Sequence, residues 1–185
     1  MQAIIFDCFG VLTTDYWRQF VTSLPTDQQL VVGELNKAYD SGHLTSSDFM
    51  NEVEIVTSRR PNLSDHYRAT ATKNYELLSY ITDLKPTYKI GLLSNVASDW
   101  VTEKFLTAEE ASLFDVMIFS HNVGLTKPDE RIFKLMANRL GVSEGECVMV
   151  DDLDANCTGA RSAGMQAITY LDVAQTKAEL EALLK

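Results

Sequence analysis

Apolar and polar positions change rhythm twice along the 185-residue chain. Residues 2–6 form a short, nearly continuous apolar run, the pattern of a strand buried on both faces. The run ends in a carboxylate, Asp7, and a glycine turn at Gly10 follows. Residues 15–84 then hold no strand pattern but several helix signals. Thr26 with Gln29 resembles a capping box, and Val31, Leu35, Ala38 and Tyr39 give one apolar face at helical spacing. Asp40-Ser41-Gly42-His43 breaks that helix, with a glycine where a C-cap belongs. Thr45 with Asp48 predicts a second helix start, carrying Phe49, Val53 and Val56. Arg60-Pro61-Asn62 interrupts again. Ser64 can cap a long helix whose face includes Leu77, Leu78, Ile81 and Leu84 and which Pro86 closes.

From residue 88 strands and helices alternate. The pattern predicts strands over Tyr88–Leu93, Asp115–Phe119, Cys147–Val150 and Gln166–Tyr170. It predicts helices over Ala97–Leu106, Ile132–Leu140, Ala155–Ala163 and Thr176–Leu184, with Gly141 and Gly164 as stops. Such alternation implies an α/β fold with a parallel, Rossmann-like sheet and right-handed crossovers. One strand comes first and four come late, so the helical block reads as an inserted cap. The expected division is a core of residues 1–14 and 86–185 and a small helical cap of residues 15–85, with hinges near 13–15 and 85–87.

A net charge of −10 argues against a general nucleic-acid surface. It leaves room for an anionic substrate, since a cation and one lysine can reverse the sign locally. Three cysteines, Cys8, Cys147 and Cys157, are too few and too odd for a disulfide framework. No apolar run is long enough to span a bilayer. The start, Met1-Gln2-Ala3-Ile4, enters a strand with no basic leader, so a signal peptide is not expected and a cytoplasmic location is. The sequence specifies no oligomeric state.

Candidate chemistry sits where predicted strands end. Asp7, Ser94, Lys127 (after a loop from the third strand) and Asp151-Asp152 all follow apolar runs. Taken singly, each has a plain explanation as a cap, a turn former or a solvated loop residue. Jointly they fall on one edge, because ligands of a parallel sheet bind outside the carboxyl ends of its strands. Three carboxylates suit a hard cation such as Mg²⁺. A hydroxyl and an ammonium suit the non-bridging oxygens of a phosphoryl group, and a carboxylate beside the cation can attack phosphorus.

In these same stretches the chain resembles the haloacid dehalogenase-like (HAD) hydrolases, in four ordered motifs. Phe6-Asp7-Cys8-Phe9-Gly10-Val11-Leu12 resembles the first, Leu92-Leu93-Ser94-Asn95 the second. Gly124-Leu125-Thr126-Lys127-Pro128 with Arg131-Ile132-Phe133 resembles the third. Val150-Asp151-Asp152-Leu153-Asp154-Ala155-Asn156, running on to Gly159, Ala160 and Gly164, resembles the fourth. The resemblance implies Asp7 as nucleophile, Ser94 and Asn95 at the phosphoryl group, and Lys127 neutralising both. It further implies Mg²⁺ held by Asp7, the Phe9 carbonyl, Asp151 and Asp152. The helical insertion is similar to the small cap of one branch, and Asp40-Ser41-Gly42-His43 falls where that branch has a loop dipping toward substrate.

One position departs from the pattern. The family's phosphatases carry a second aspartate two residues after the nucleophile, as general acid and then base; here that residue is Phe9. General acid–base help is typically worth about 10²–10⁴-fold. The expectation is therefore a Mg²⁺-dependent phosphatase of a small phosphorylated metabolite that is slow, prefers good leaving groups or moves its proton another way. Relatives lacking the second acid include some regarded as sugar-phosphate phosphatases.

Two other readings remain. In the family's L-2-haloacid dehalogenases an aromatic residue takes the Phe9 position, since halide leaves without a proton, and Arg18 or Trp17 could form a halide pocket. Those enzymes need no metal, however, and without one Asp151-Asp152 beside Asp7 is a costly like-charge cluster. The third reading is a non-catalytic module that binds a phospholigand. His43 in the cap loop, and Trp17 with Tyr16 after the first hinge, are candidate substrate contacts; His121 reads as a loop residue. No P-loop or Gly-x-Gly-x-x-Gly pattern occurs.

Overall fold

A computed structural model describes residues 1–61 and 72–184. The predicted Ser64 cap lies outside the described residues. Five parallel strands form one sheet in the order β3-β2-β1-β4-β5. They are β1 (Ala3–Phe6), β2 (Lys89–Ser94), β3 (Val116–Phe119), β4 (Cys147–Asp151) and β5 (Gln166–Thr169). The central strand, β1, is buried at every residue, as its unbroken apolar run requires.

Side chains alternate across a strand, so β1 feeds two cores. Ile4 and Phe6 join the face covered by α4 (Tyr75–Leu84) and α9 (Val173–Leu184). Ala3 and Ile5 join the face covered by α7 (Glu130–Leu140) and α8 (Asp154–Ser162). Gly141 and Gly164, both with positive φ, follow the ends of α7 and α8 as expected. The chain is thus an α/β protein with a Rossmann-like parallel sheet.

A third apolar cluster lies apart from the sheet. It joins α1 (Tyr16–Thr22), α2 (Thr26–Asp40) and α3 (Ser46–Thr57) through Leu24, Val32, Tyr39, Phe49 and Val53. Tyr39 stacks on Phe49 with ring centroids 4.4 Å apart. The expected face of α4, Leu77, Leu78, Ile81 and Leu84, is wholly buried, but it packs on the sheet rather than on α1–α3.

Three local expectations are corrected. Pro25, not Thr26, occupies the N-cap of α2, and Gln29 reaches back to the Leu24 carbonyl at 2.8 Å instead of closing a capping box. Val31 is solvent-exposed; the inward stripe of α2 runs through Val32, Asn36, Tyr39 and Asp40, mixed in polarity because part of it faces a cavity. Residues 97–106 yield only one wide turn at Val101–Phe105, followed by the short α5 (Ala108–Ala111). Before that turn the Val96 carbonyl, at the predicted helix start, accepts from the His121 ring at 2.8 Å, next to α6 (Ser120–Val123).

Candidate active site

The sheet brings four sequence-predicted residues to one edge, and Lys127 sits at their centre. Its Nζ lies 2.8 Å from Asp7 Oδ1 and 2.5 Å from Asp151 Oδ2. All three side chains are buried. Asp7 follows β1 directly; its backbone N–H donates to Val150 O at 2.9 Å, and its carboxylate accepts from Cys8 N at 2.7 Å. Asp151 closes β4, where Leu153 N and Asn156 Nδ2 both donate to its Oδ1 at 2.9 Å.

The loop after Asp7 turns tightly. Gly10 has φ +85°, and a Cβ there would collide with the Asp152 carboxylate. A glycine is therefore needed both for conformation and for the approach of Asp152. Asp152 Oδ2 pairs with Arg18 Nη1 of α1 at 2.6 Å, while its Oδ1 is buried with no hydrogen-bond partner among the described residues.

Electrostatics follow from this crowding. Burial, and next Asp151, push the Asp7 carboxyl well above the usual carboxylate range, against the pull of Lys127. Burial alone would lower Lys127, but Asp151 and Asp7 outweigh it and hold the ammonium charged. Burial also raises Asp152, with Arg18 opposing. Oxygens of Asp7, Asp151 and Asp152 lie within 4.8 Å of one another. Three clustered carboxylates, one with an orphaned buried oxygen, fit a hard oxygen-seeking cation.

Asn95 fixes the lysine. Its Oδ1 accepts from Lys127 N at 2.9 Å and its Nδ2 donates to Lys127 O at 3.0 Å. The amide predicted at the substrate is thus spent on the lysine backbone at both ends, although Asn95 still lines the cavity. Ser94 ends β2; its Oγ is buried without a partner among the described residues, and the residue is not part of the cavity wall.

A cavity of about 270 Å³ opens over this edge. Asp7, Phe9, Asn95 and Lys127 form its core side. Trp17, Arg18, Asn36, Tyr39 and Asp40 approach from α1 and α2. Phe9 stacks on Trp100, centroids 5.9 Å apart. His43 does not reach the cavity: it is exposed, with its ring Nδ1 2.7 Å from Ser41 Oγ. Tyr16 and His121 lie outside the wall as well; His121 is held by Val96 O and by Asp99, 3.3 Å from its Nε2.

A family model described as haloacid dehalogenase-like hydrolase matches residues 1–164. The chain belongs to the haloacid dehalogenase-like hydrolases. A phosphatase from Mycobacterium tuberculosis (strain CDC 1551 / Oshkosh) is 28% identical over 197 residues, which cover 96% of this chain and 90% of that protein. A predicted HAD-like hydrolase from Porphyromonas gingivalis superposes with a TM-score of 0.72 at 22% identity, over 100% of this chain and 98% of the other. A HAD-family enzyme from Bacteroides thetaiotaomicron, complexed with magnesium and inorganic phosphate, gives a TM-score of 0.70 at 19% identity, over 95% and 98%. Among the described residues of this HAD-like hydrolase, no helix is long and apolar enough to cross a membrane.

Sequence reading missed several supports of the HAD site. Gly159 on α8 leaves no space for a Cβ, which would meet the Pro128 carbonyl next to Lys127. Asn156 anchors Asp151, and its place in the fourth motif was a readable signal. Asp40 and Asn36 stand four residues apart on α2, the spacing of facing helix neighbours, and Asn36 Nδ2 donates to Asp40 Oδ2 at 2.8 Å.

Proposed function

We propose that this HAD-like hydrolase is a Mg²⁺-dependent phosphatase of a small phosphorylated metabolite. The observation that carries the reading is the buried bridge from Lys127 to both Asp7 and Asp151, with the Asp152 carboxylate clustered beside them. Asp7, the Phe9 carbonyl, Asp151 and Asp152 would hold the cation, which when bound neutralises charge on the phosphoryl oxygens. Asp7 attacks phosphorus and becomes an aspartyl-phosphate, which water then hydrolyses. Lys127 offsets charge on the nucleophile and on the phosphoryl group. Ser94 Oγ, buried at the end of β2 behind the cavity wall, is the hydroxyl assigned to a phosphoryl oxygen, a contact that requires this edge to open as substrate binds. Asn95 positions Lys127. The substrate's organic part faces Trp17 and Tyr39.

The dehalogenase alternative asks Arg18 to meet a halide, yet Arg18 already pairs with Asp152 at 2.6 Å, and the acidic cluster is unexplained by that chemistry. The test is purified protein against a panel of phosphoesters and acyl phosphates, with Mg²⁺ and with chelator. Mg²⁺-dependent phosphate release that vanishes in Asp7→Asn is expected. Absence of turnover above the Asp7→Asn control on every substrate would sink the reading, and chloride release from a 2-haloacid in chelator would replace it.

A further inference from the structure

Phosphate-ester cleavage leaves an alkoxide that must be protonated, and Phe9 carries no proton at the position where the family's phosphatases keep an acid. We propose that Asp40, at the C-terminal end of α2, is the catalytic acid and base of this enzyme, delivered from the cap side of the cavity. The assignment rests on the phosphatase reading above. Asp40 lines the same cavity as Asp7, Lys127 and Phe9, on the α2 side.

The fold holds it there. The Asp40 carbonyl accepts from Ser120 Oγ at 2.6 Å, and the buried Ser120 Oγ in turn accepts from Val96 N at 2.9 Å. The end of α2 is thereby tied to the strand-end loops after β2 and β3. Gly42, with φ +77°, turns the chain out of α2 beside the His121 carbonyl. Asn36 fixes one carboxyl oxygen, Oδ2, through its amide. The carboxyl is thereby fixed on the wall of the cavity that also holds Asp7 and Lys127; proton transfer further needs the leaving oxygen within about 2.6–3.2 Å of it, or one water away.

Its proton affinity suits the task. Burial raises the Asp40 carboxyl to about 7, with Asp15 adding to it and Asn36 and Lys127 opposing. Other ionisable side chains nearby have partners of their own: Arg18 pairs with Asp152, His121 contacts Val96 O and Asp99, and His43 contacts Ser41. In the first step an Asp7 oxygen bonds to phosphorus, the ester P–O bond breaks, and the Asp40 proton passes to the leaving oxygen. In the second step water attacks phosphorus, the Asp7–P bond breaks, and the water proton returns to Asp40. Ester and water become alcohol and phosphate, and both carboxyls are restored.

The experiment compares kcat/KM across phosphate monoesters of graded leaving-group acidity, from alkyl to dinitrophenyl, for the parent and Asp40→Asn. Asp40→Asn should lose about 10²–10⁴-fold on alkyl esters but less than about tenfold on the dinitrophenyl ester, whose leaving group needs no proton. With the latter substrate it should give a burst of dinitrophenolate, because the second step has lost its base. The fall in parent kcat/KM for alkyl esters as pH rises through about 7 should be absent from the variant. Phe9→Asp added to Asp40→Asn should restore alkyl-ester turnover. A loss equal across the series, or no loss, overturns the assignment while leaving the phosphatase reading intact. A parent no better than Asp7→Asn on every ester overturns both.

Discussion

Lys127 Nζ stands 2.8 Å from Asp7 Oδ1, with both side chains almost wholly withdrawn from solvent. The same ammonium holds Asp151, so one cation offsets two buried carboxylates. Removing one member of such a network leaves charge buried and unpaired, at a cost of roughly 3–5 kcal/mol. Lys127→Met is therefore expected to lower the unfolding free energy by about that amount, measured by urea denaturation in chelator. It should also abolish phosphate release. A variant as stable as the parent would show that the bridge is not formed in solution.

Ser94→Ala should separate stability from activity. The hydroxyl is buried without a partner among the described residues, so its removal takes away an unsatisfied group rather than a bond. Thermal stability is expected to stay level or rise. Turnover should fall roughly tenfold to a hundredfold, the loss of one hydrogen bond to a charged group at about 1.5–3 kcal/mol. Reduced stability with unchanged kcat/KM would place the hydroxyl outside the reaction.

The carboxylates of this edge were legible in the sequence because they end apolar runs. Asp7 and Asp151 interrupt stretches that only a buried strand explains, and a parallel sheet sends all such ends to one side. Asp40 was legible only as the first residue of a loop that the family resemblance brings toward substrate, with His43 the residue singled out in it. That the Asp40 carboxyl lines the cavity depends on contacts no local pattern encodes: Ser120 Oγ, 80 positions away, holds its carbonyl, and Asn36 holds its Oδ2. The face of α2 was misread for a related reason: its inward stripe carries Asn36 and Asp40, so periodicity of apolar residues pointed to Val31, which is exposed. Asn95 follows β2 directly, but that its amide binds the Lys127 backbone depends on a loop conformation that no local pattern encodes.

Gly159→Ala tests how the lysine loop is seated. A methyl group on α8 would meet the Pro128 carbonyl, which is backbone and cannot swing aside. Overpacking of this kind costs about 1–3 kcal/mol. Because Lys127 is the neighbouring residue, the variant should lose more in kcat than its reduced Tm explains at a temperature where it is fully folded. An unchanged kcat would mean that the loop shifts without moving the ammonium.

Asp40 also predicts a pH dependence of stability apart from catalysis. Its folded value of about 7 lies above the ordinary 3.8, so the folded state keeps a proton that the unfolded chain releases between these values. The associated stabilisation is fully present below about pH 4 and is lost as pH rises through 7. Asp40→Asn removes this loss. The Tm of Asp40→Asn minus that of the parent should therefore increase from pH 4 to pH 8, measured by calorimetry at both ends. A difference that stays constant with pH would return Asp40 to an ordinary carboxylate.

Mg²⁺ should stabilise the fold without any substrate. A ligand that binds only the folded state contributes RT ln(1 + [L]/Kd), about 2.7 kcal/mol at a hundredfold excess over Kd. The acceptors proposed for it are the clustered oxygens of Asp7, Asp151 and Asp152, of which Asp152 Oδ1 has no other partner among the described residues. Titrating Mg²⁺ into the parent should raise Tm with a saturable profile. In Asp152→Asn the baseline Tm should change little or rise, because like-charge repulsion is relieved, and the Mg²⁺ response should shrink or move to much higher concentration. Equal responses in both proteins would place the cation elsewhere, and no response in the parent would leave the acidic cluster to Lys127 and Arg18 alone.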